Sequence, residues 1–227
     1  MYPRRVREDE VIARIAALVA AGEYRDVLYG RPSVALDGAA VLHRGNGETG
    51  FRRVFQRGTP EHAAAKAAGL VERLPALLAA TPEAVQEAEA LVGTHLPLLL
   101  RRLYLEVGNG GFGPGYGLLG LAGGHDDQGR TAVDLYRARE FPAHLLPLLT
   151  WGCAIYSLVD LRDGAVWGYD PNPGEPPDGL FPEWPDLAGW FDRWLCGDLH
   201  QPFAVRDDAS GRWRNARDDE WAAVVSA

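Results

Sequence analysis

The sequence predicts an α+β fold: a mostly antiparallel sheet covered by helices and preceded by a partly helical N-terminal extension. Three observations carry that prediction. Thr59-Pro60-Glu61 and Thr81-Pro82-Glu83 each place a capping hydroxyl, a first-turn proline and an acid in helix-start register. Two β-rich runs, residues 153–160 and 165–169, flank the turn dipeptide Asp163-Gly164 and predict an antiparallel hairpin. After Asp186, Leu187, Trp190, Phe191, Trp194 and Leu195 recur at helical spacing as far as Gly197, forming an apolar face that must cover something, and the sheet is the obvious surface.

Taken in order, Glu8-Asp9-Glu10 followed by Val11, Ile12, Ile15, Leu18 and Val19 gives an acidic first turn and an apolar stripe, a helix ended by Gly22. Residues 23–58 break into short apolar clusters between glycine-rich turns, read as short strands or irregular structure. The Thr59 signal opens an Ala-rich helix to about residue 80. The Thr81 signal opens a second, and this repeat marks the boundary between an extension over residues 1–80, read as mainly helical, and a main domain over residues 81–200. Gly93 and Pro97 interrupt that helix, and it resumes from Leu98 to Val107. The glycines from Gly110 to Gly117 read as a loop feeding an edge-like strand at residues 118–121. Residues 132–141 read as helical, Pro142 and Pro147 bracket a connection, and residues 171–185 read as a surface loop. Residues 201–227 read as a tail that packs on the domain with a final strand or short helix.

At 227 residues the chain is long enough to bury a substantial core without staples. Cys153 and Cys196 lie far apart and match no CxxC or Cys/His ligand spacing, which reads as two reduced thiols. The apolar run at residues 11–21 is cut by Arg14 and preceded by three acids, which fits neither a signal sequence nor a membrane span, so the expected location is cytoplasmic. Charge is divided unevenly. Residues 1–80 hold 12 Lys and Arg against 9 Asp and Glu, a net of +3; residues 81–227 hold 11 against 22, a net of −11. Such an acidic surface repels nucleic-acid phosphates and steers towards basic partners, although acid also serves solubility alone.

The segment from Glu89 through Leu96-Pro97 to Leu103-Tyr104-Leu105 and Asn109-Gly110-Gly111 carries a family likeness. Helix, Leu-Pro joint, helix and Asn-Gly-Gly terminus resemble the SUKH superfamily, also called Smi/Knr-like. The hairpin and the closing Phe/Trp helix follow that family's order, over about residues 82–197. Physically, Pro97 fixes the corner, and Asn109 and Gly110 suit the left-handed conformation that turns a helix end back. Glu89, Leu96, Pro97, Asn109, Gly110 and Gly111 are therefore assigned to folding. The resemblance implies a non-enzymatic protein-binding domain, in bacteria typically an immunity protein that neutralises a toxin, often a nuclease, and in fungi a regulator of cell-wall synthesis.

No chemistry competes with that reading. The order around Gly108–Gly117 is helix then strand, the reverse of a phosphate-binding loop. His125-Asp126-Asp127 lacks further ligands for a metal and reads as a solvated turn or a protein-contact loop. The histidines form no HExxH pair, and Ser157 lacks a nucleophile elbow. No cofactor, metal, membrane or direct nucleic-acid contact is expected. The expected partner is a protein, such as a basic nuclease toxin, met by acids in surface loops: Asp126, Asp127, Asp170, Glu175, Asp178 and Glu183, with Trp184 as an exposed aromatic anchor. A regulatory or scaffolding module of the Smi/Knr type, with the extension as the contact, and an enzyme of unknown class are the alternatives.

Overall fold

A computed structural model describes residues 8–31, 40–45, 48–217 and 220. Helix α1 (Glu8–Ala21) opens on its acidic turn and buries Val11, Ile12 and Ile15. Strands β1 (Val27–Tyr29), β2 (Ala40–Gly45) and β3 (Glu48–Gln56) then form an antiparallel sheet in the order β1-β3-β2. Thr59 caps α2 (Pro60–Ala67) through His62 N–H, as its signal predicts. That helix does not reach residue 80. Gly69 turns left-handed at φ 67°, and the chain then runs extended, with Arg31 N–H donating to the Leu70 carbonyl. The extension is thus sheet as much as helix, with a small core of Leu28, Phe55, Ala65 and Val71.

Thr81 caps α3 (Pro82–Val92), and Pro97 opens α4 (Leu98–Glu106). Glu89 clasps the corner between them. Its carboxylate accepts from Leu96 N–H at 3.1 Å and pairs with His95 Nδ1 at 3.1 Å and Arg101 Nε at 3.4 Å. This places a negative charge at the start of α4, where the helix dipole favours it. At the far end Gly110 and Gly111 take left-handed φ of 78° and 89°, whereas Asn109 does not. Asn109 acts through its side chain instead. Its Oδ1 accepts from Leu121 N–H and its Nδ2 donates to the Ala122 carbonyl, tying the glycine-rich loop to the helix end. Residues 118–121 form no regular strand; Leu119 N–H and Tyr116 N–H instead donate to the Leu148 and Thr150 carbonyls of the main sheet's edge.

After α5 (Ala132–Arg137), capped by a reciprocal Thr131–Asp134 box, comes the main sheet. Its strands β4 (Leu145–Gly152), β5 (Ile155–Asp160), β6 (Val166–Tyr169) and β7 (Leu180–Trp184) run antiparallel in sequence order. The predicted hairpin is β5–β6, although Cys153 and Ala154 are not strand: both take left-handed φ and make the tight turn between β4 and β5. The outer strands occupy segments read as a connection and a surface loop. Each holds a proline, Pro147 or Pro182, and a register shift lies beside each, as expected of edge strands.

One face of this sheet, with Leu146, Leu148, Val159 and Val166, packs into a single core with α1, α3, α4, α5 and α6 (Leu187–Cys196). Gly168 is required there, because a Cβ would collide with the ring of its cross-strand partner Phe181. Asp186 caps α6 through Gly189 N–H, and Leu187, Trp190, Phe191 and Trp194 are buried as predicted. At about 1.5–3 kcal/mol of transfer free energy each, these four residues make α6 the main apolar lid of the sheet. The tail pairs β8 (Ala204–Arg206) with β9 (Trp213–Asn215).

The extension is joined to this core through α6. Trp194 Nε1 donates to Asp26 Oδ1 at 2.7 Å, and Arg57 stacks 4.7 Å above the Trp194 ring while donating to Asp26 and to the Trp194 carbonyl. Burial raises the Asp26 pKa despite these donors, so the carboxylate depends on each of them. Trp194→Phe keeps most of the packing and removes one donor. We expect it to cost about 1–3 kcal/mol in urea-induced unfolding; an unchanged midpoint would show that the indole bond does not hold the two parts together.

Candidate functional site

Strand alternation sorts the main sheet's residues into two faces. Leu158 faces Trp167 across β5 and β6, and Tyr156 faces Tyr169, all on the side away from the helical core. Phe141, from the segment after α5, packs edge-on to Tyr156 at 5.4 Å and to Tyr169 at 5.3 Å. Phe141, Tyr156, Trp167 and Leu180 remain half-buried, so this face presents an aromatic patch to solvent.

Acids ring the patch. The Tyr156 phenol is raised by burial and then by the charge of Glu140, with Asp127 adding to it; the Tyr169 phenol is raised by burial and then by Glu175. Arg130 is the opposing cation beside Tyr156, and it is engaged in an ion pair with Glu140. An aromatic centre inside a charged rim is the anatomy of a protein interface.

The predicted contact residues divide. Asp126 is exposed, with Oδ1 accepting from Gly129 N–H inside its own turn, and Asp127 is half-buried beside it. Glu175 and Asp178 are exposed on the loop that borders Tyr169. Asp170, expected on a surface loop, is buried at 3% exposure: it accepts from Asn172 and from Ala204 N–H, pinning the loop and the tail. His125, beside the acidic pair, is half-buried; burial and then Arg25 lower its pKa. Its Nε2 lies 3.0 Å from the Tyr116 carbonyl and 3.2 Å from Arg25 Nη2, and so can donate to the first or accept from the second. Glu140, Phe141, Tyr156 and Tyr169 were missed by the sequence reading. The alternation of Tyr156 with Leu158, and of Trp167 with Tyr169, was the signal that could have placed the aromatics on one face.

Glu183 also departs from its expected surface loop. It lies in β7 two residues after Phe181 and so on the same, helical side, and it is the extra residue at the register shift that lets Trp184 pair with Val166. Ser157 Oγ donates to Oε2 at 2.7 Å and Trp190 Nε1 to Oε1 at 2.6 Å, while Trp151 Nε1 donates to Ser157 Oγ at 2.9 Å. Burial pushes the carboxyl up to about 7, with both donors and Arg193 acting in the opposite sense. Trp184, next in sequence, is half-buried under Arg193, 4.8 Å from its ring centroid, and lines a groove on another side of the molecule.

That groove has a volume of about 1060 Å³ and is bounded by α1, the α3–α4 corner, the β5–β6 turn and the start of α6. Among the described residues no three or more His, Cys, Asp or Glu are grouped to hold a metal ion, and no helix is long and apolar enough to cross a membrane.

The model of the SMI1/KNR4 family (SUKH-1) matches residues 79–193, just over half of the chain. The chain belongs to the SUKH-1 family. No curated protein and no solved structure matches it. The matched segment holds the Glu89–Pro97 corner, the Asn109-Gly110-Gly111 terminus, the main sheet and most of α6. α1, which walls the groove, lies outside the match.

Glu183 makes this SUKH-1 domain's stability pH-dependent. Unfolded, the carboxyl titrates near its ordinary 4.5; folded, near 7. Between these values the native state keeps a proton that the unfolded chain has lost, so stability falls as pH rises from 4.5 to 7 and the loss is complete above it. Glu183→Gln should therefore gain roughly 3 kcal/mol relative to the wild type between pH 4.5 and pH 8 in urea unfolding. Stability curves that stay parallel across this range would remove the assignment.

Proposed function

We propose that this SUKH-1 protein is a non-enzymatic immunity protein that neutralises a toxin by stoichiometric occlusion. The observation that carries this reading is the half-buried aromatic face of Phe141, Tyr156 and Trp167 over the buried Tyr169, ringed by Asp127, Glu140 and Glu175. A basic toxin domain, such as a nuclease whose substrate is anionic, has the complementary charge. The acidic rim then speeds encounter and orients the partner, and the aromatic centre supplies the lasting contact. Asp126 and Asp178 extend the acidic surface, Trp184 belongs to the groove instead, and Asp170 and Glu183 act in folding.

The reading requires no catalysis: one folded domain covering the toxin's substrate surface is sufficient. The family also supports a regulatory or scaffolding module of the Smi/Knr type, and the participation of α1 in the groove favours that second reading.

Affinity capture of the full chain from its native lysate at low and raised salt, compared with Asp127→Asn/Glu140→Gln/Glu175→Gln, tests the proposal. We expect a basic toxin-like protein whose retention falls with salt and whose affinity for the triple variant drops about tenfold, or about 1.4 kcal/mol. Equal affinity for both proteins would reject the acidic face, and recovery of signalling proteins alone would favour the regulatory module.

A further inference from the structure

The groove beside the Leu-Pro corner differs in kind from the aromatic face. Its floor carries Leu98, which is 62% exposed although it sits in the first turn of a helix whose next two residues, Leu99 and Leu100, are buried. An apolar side chain left open inside a concavity is available as a contact point for a partner.

The charges around that floor are not balanced in what they offer. The arginines that line it are engaged within the protein. Arg14 pairs with Asp192, Arg162 holds buried Asp160 through Nε and Nη2, and Arg193 stacks on Trp184 and donates to the Asp198 carbonyl. The acids keep acceptor capacity. Asp163 and Asp186 each accept a backbone N–H, from Ala165 and Gly189 respectively, which leaves most of a carboxylate's lone pairs unused, and Glu8 adds a further charge from α1. The groove therefore presents open carboxylates around an open leucine.

We infer that α1 and the SUKH-1 segment together form a docking groove for a basic segment of a protein partner, one that places an aliphatic side chain on Leu98 and Lys or Arg side chains against Glu8, Asp163 and Asp186. Nucleic acid and anionic membrane surfaces carry the wrong charge for this site. Among the described residues a simple anion finds no uncommitted arginine in it. The family match begins at residue 79, so the wall supplied by α1 lies outside the matched segment, and it gives the extension a binding role beyond its packing on α6. The inference rests on the protein-binding reading above, and it names a second surface that can be tested separately from the aromatic face.

The test is a titration of the isotope-labelled full chain with a short amphipathic leucine–arginine peptide, followed by backbone amide NMR, with a leucine–glutamate peptide of the same pattern as the control. We expect shifts confined to α1, the start of α4, residues 161–164 and the start of α6 for the arginine peptide alone. Leu98→Asp should weaken binding about tenfold or more, as should Asp163→Lys, and both positions are exposed enough to be changed without loss of fold. Asp127→Asn/Glu140→Gln/Glu175→Gln should leave this binding unchanged. Shifts that map to Tyr156 and Tyr169 would overturn the groove while sparing the reading of the aromatic face. Equal binding of the two peptides, or none, would overturn the groove outright, and a lysate partner whose capture depends on Leu98 but not on the acidic rim would support the groove against that face.

Discussion

The fold depends on how α6 is held, and α6 is held by two tryptophans that each donate to a carboxylate. Trp190 donates to Glu183 from the sheet, and Trp194, one turn on, donates to Asp26 from the extension. A carboxylate removed from water is costly unless its lone pairs find donors at good geometry. Each indole N–H satisfies such a need at only one position along the helix. An apolar face can repack with small shifts, whereas these bonds are directional, so they fix the helix in rotation and register on the sheet. The same helix thereby closes the core and ties on a segment that lies outside the family match.

Both candidate surfaces follow from that placement. With α6, α4 and α1 on one side of the main sheet, the other side carries Phe141 and the 170–179 loop, and alternation brings Tyr156 and Trp167 to half-buried positions beside the buried Tyr169. On the helical side, the start of α6 stands against α1 and the Leu-Pro corner, and the space between them is the groove. The bulge in β7 serves the groove. Glu183, inward by alternation with Phe181, is Trp190's acceptor, and the extra residue brings the following Trp184 to the same side, at the groove's edge under Arg193.

Local signals with a mechanical meaning were legible in the sequence. Thr59, Thr81 and Asp186 cap the helices they were expected to cap, the hairpin around Asp163-Gly164 is present, and the Phe/Trp helix is buried on its predicted face. The two edge strands were not legible. Pro147 and Pro182 read as breakers, and only the position of these strands at the edges of the sheet, beside register shifts, makes a proline tolerable there. The Ala-rich run after Thr59 favoured helix by composition, but Gly69 ended it and Arg31 offered an extended partner at Leu70. Asn109 was placed in the right motif with the wrong job: its backbone is ordinary, and its amide bridges two loop residues that no spacing rule connects to it. The aromatic face was partly legible from alternation, but its acidic rim was not, because Glu140 reaches the patch through chain folding after α5.

The acid excess after residue 80 looked like a single surface property and proves to be two. Glu89, Asp160, Asp170 and Glu183 are internal acceptors, at the helix corner, the β5–β6 turn, the loop that pins the tail and the seat of Trp190. Each is occupied by the fold whatever the protein binds, so total charge overstates what a partner meets. Once they are set aside, two groups of the outward acids lie against apolar surface, one around Tyr156 and Tyr169 and one around Leu98. In both, carboxylates surround exposed apolar surface. Charge alone would attract any cation, and apolar surface alone would attract any partner; the two together suit the basic protein partner proposed above.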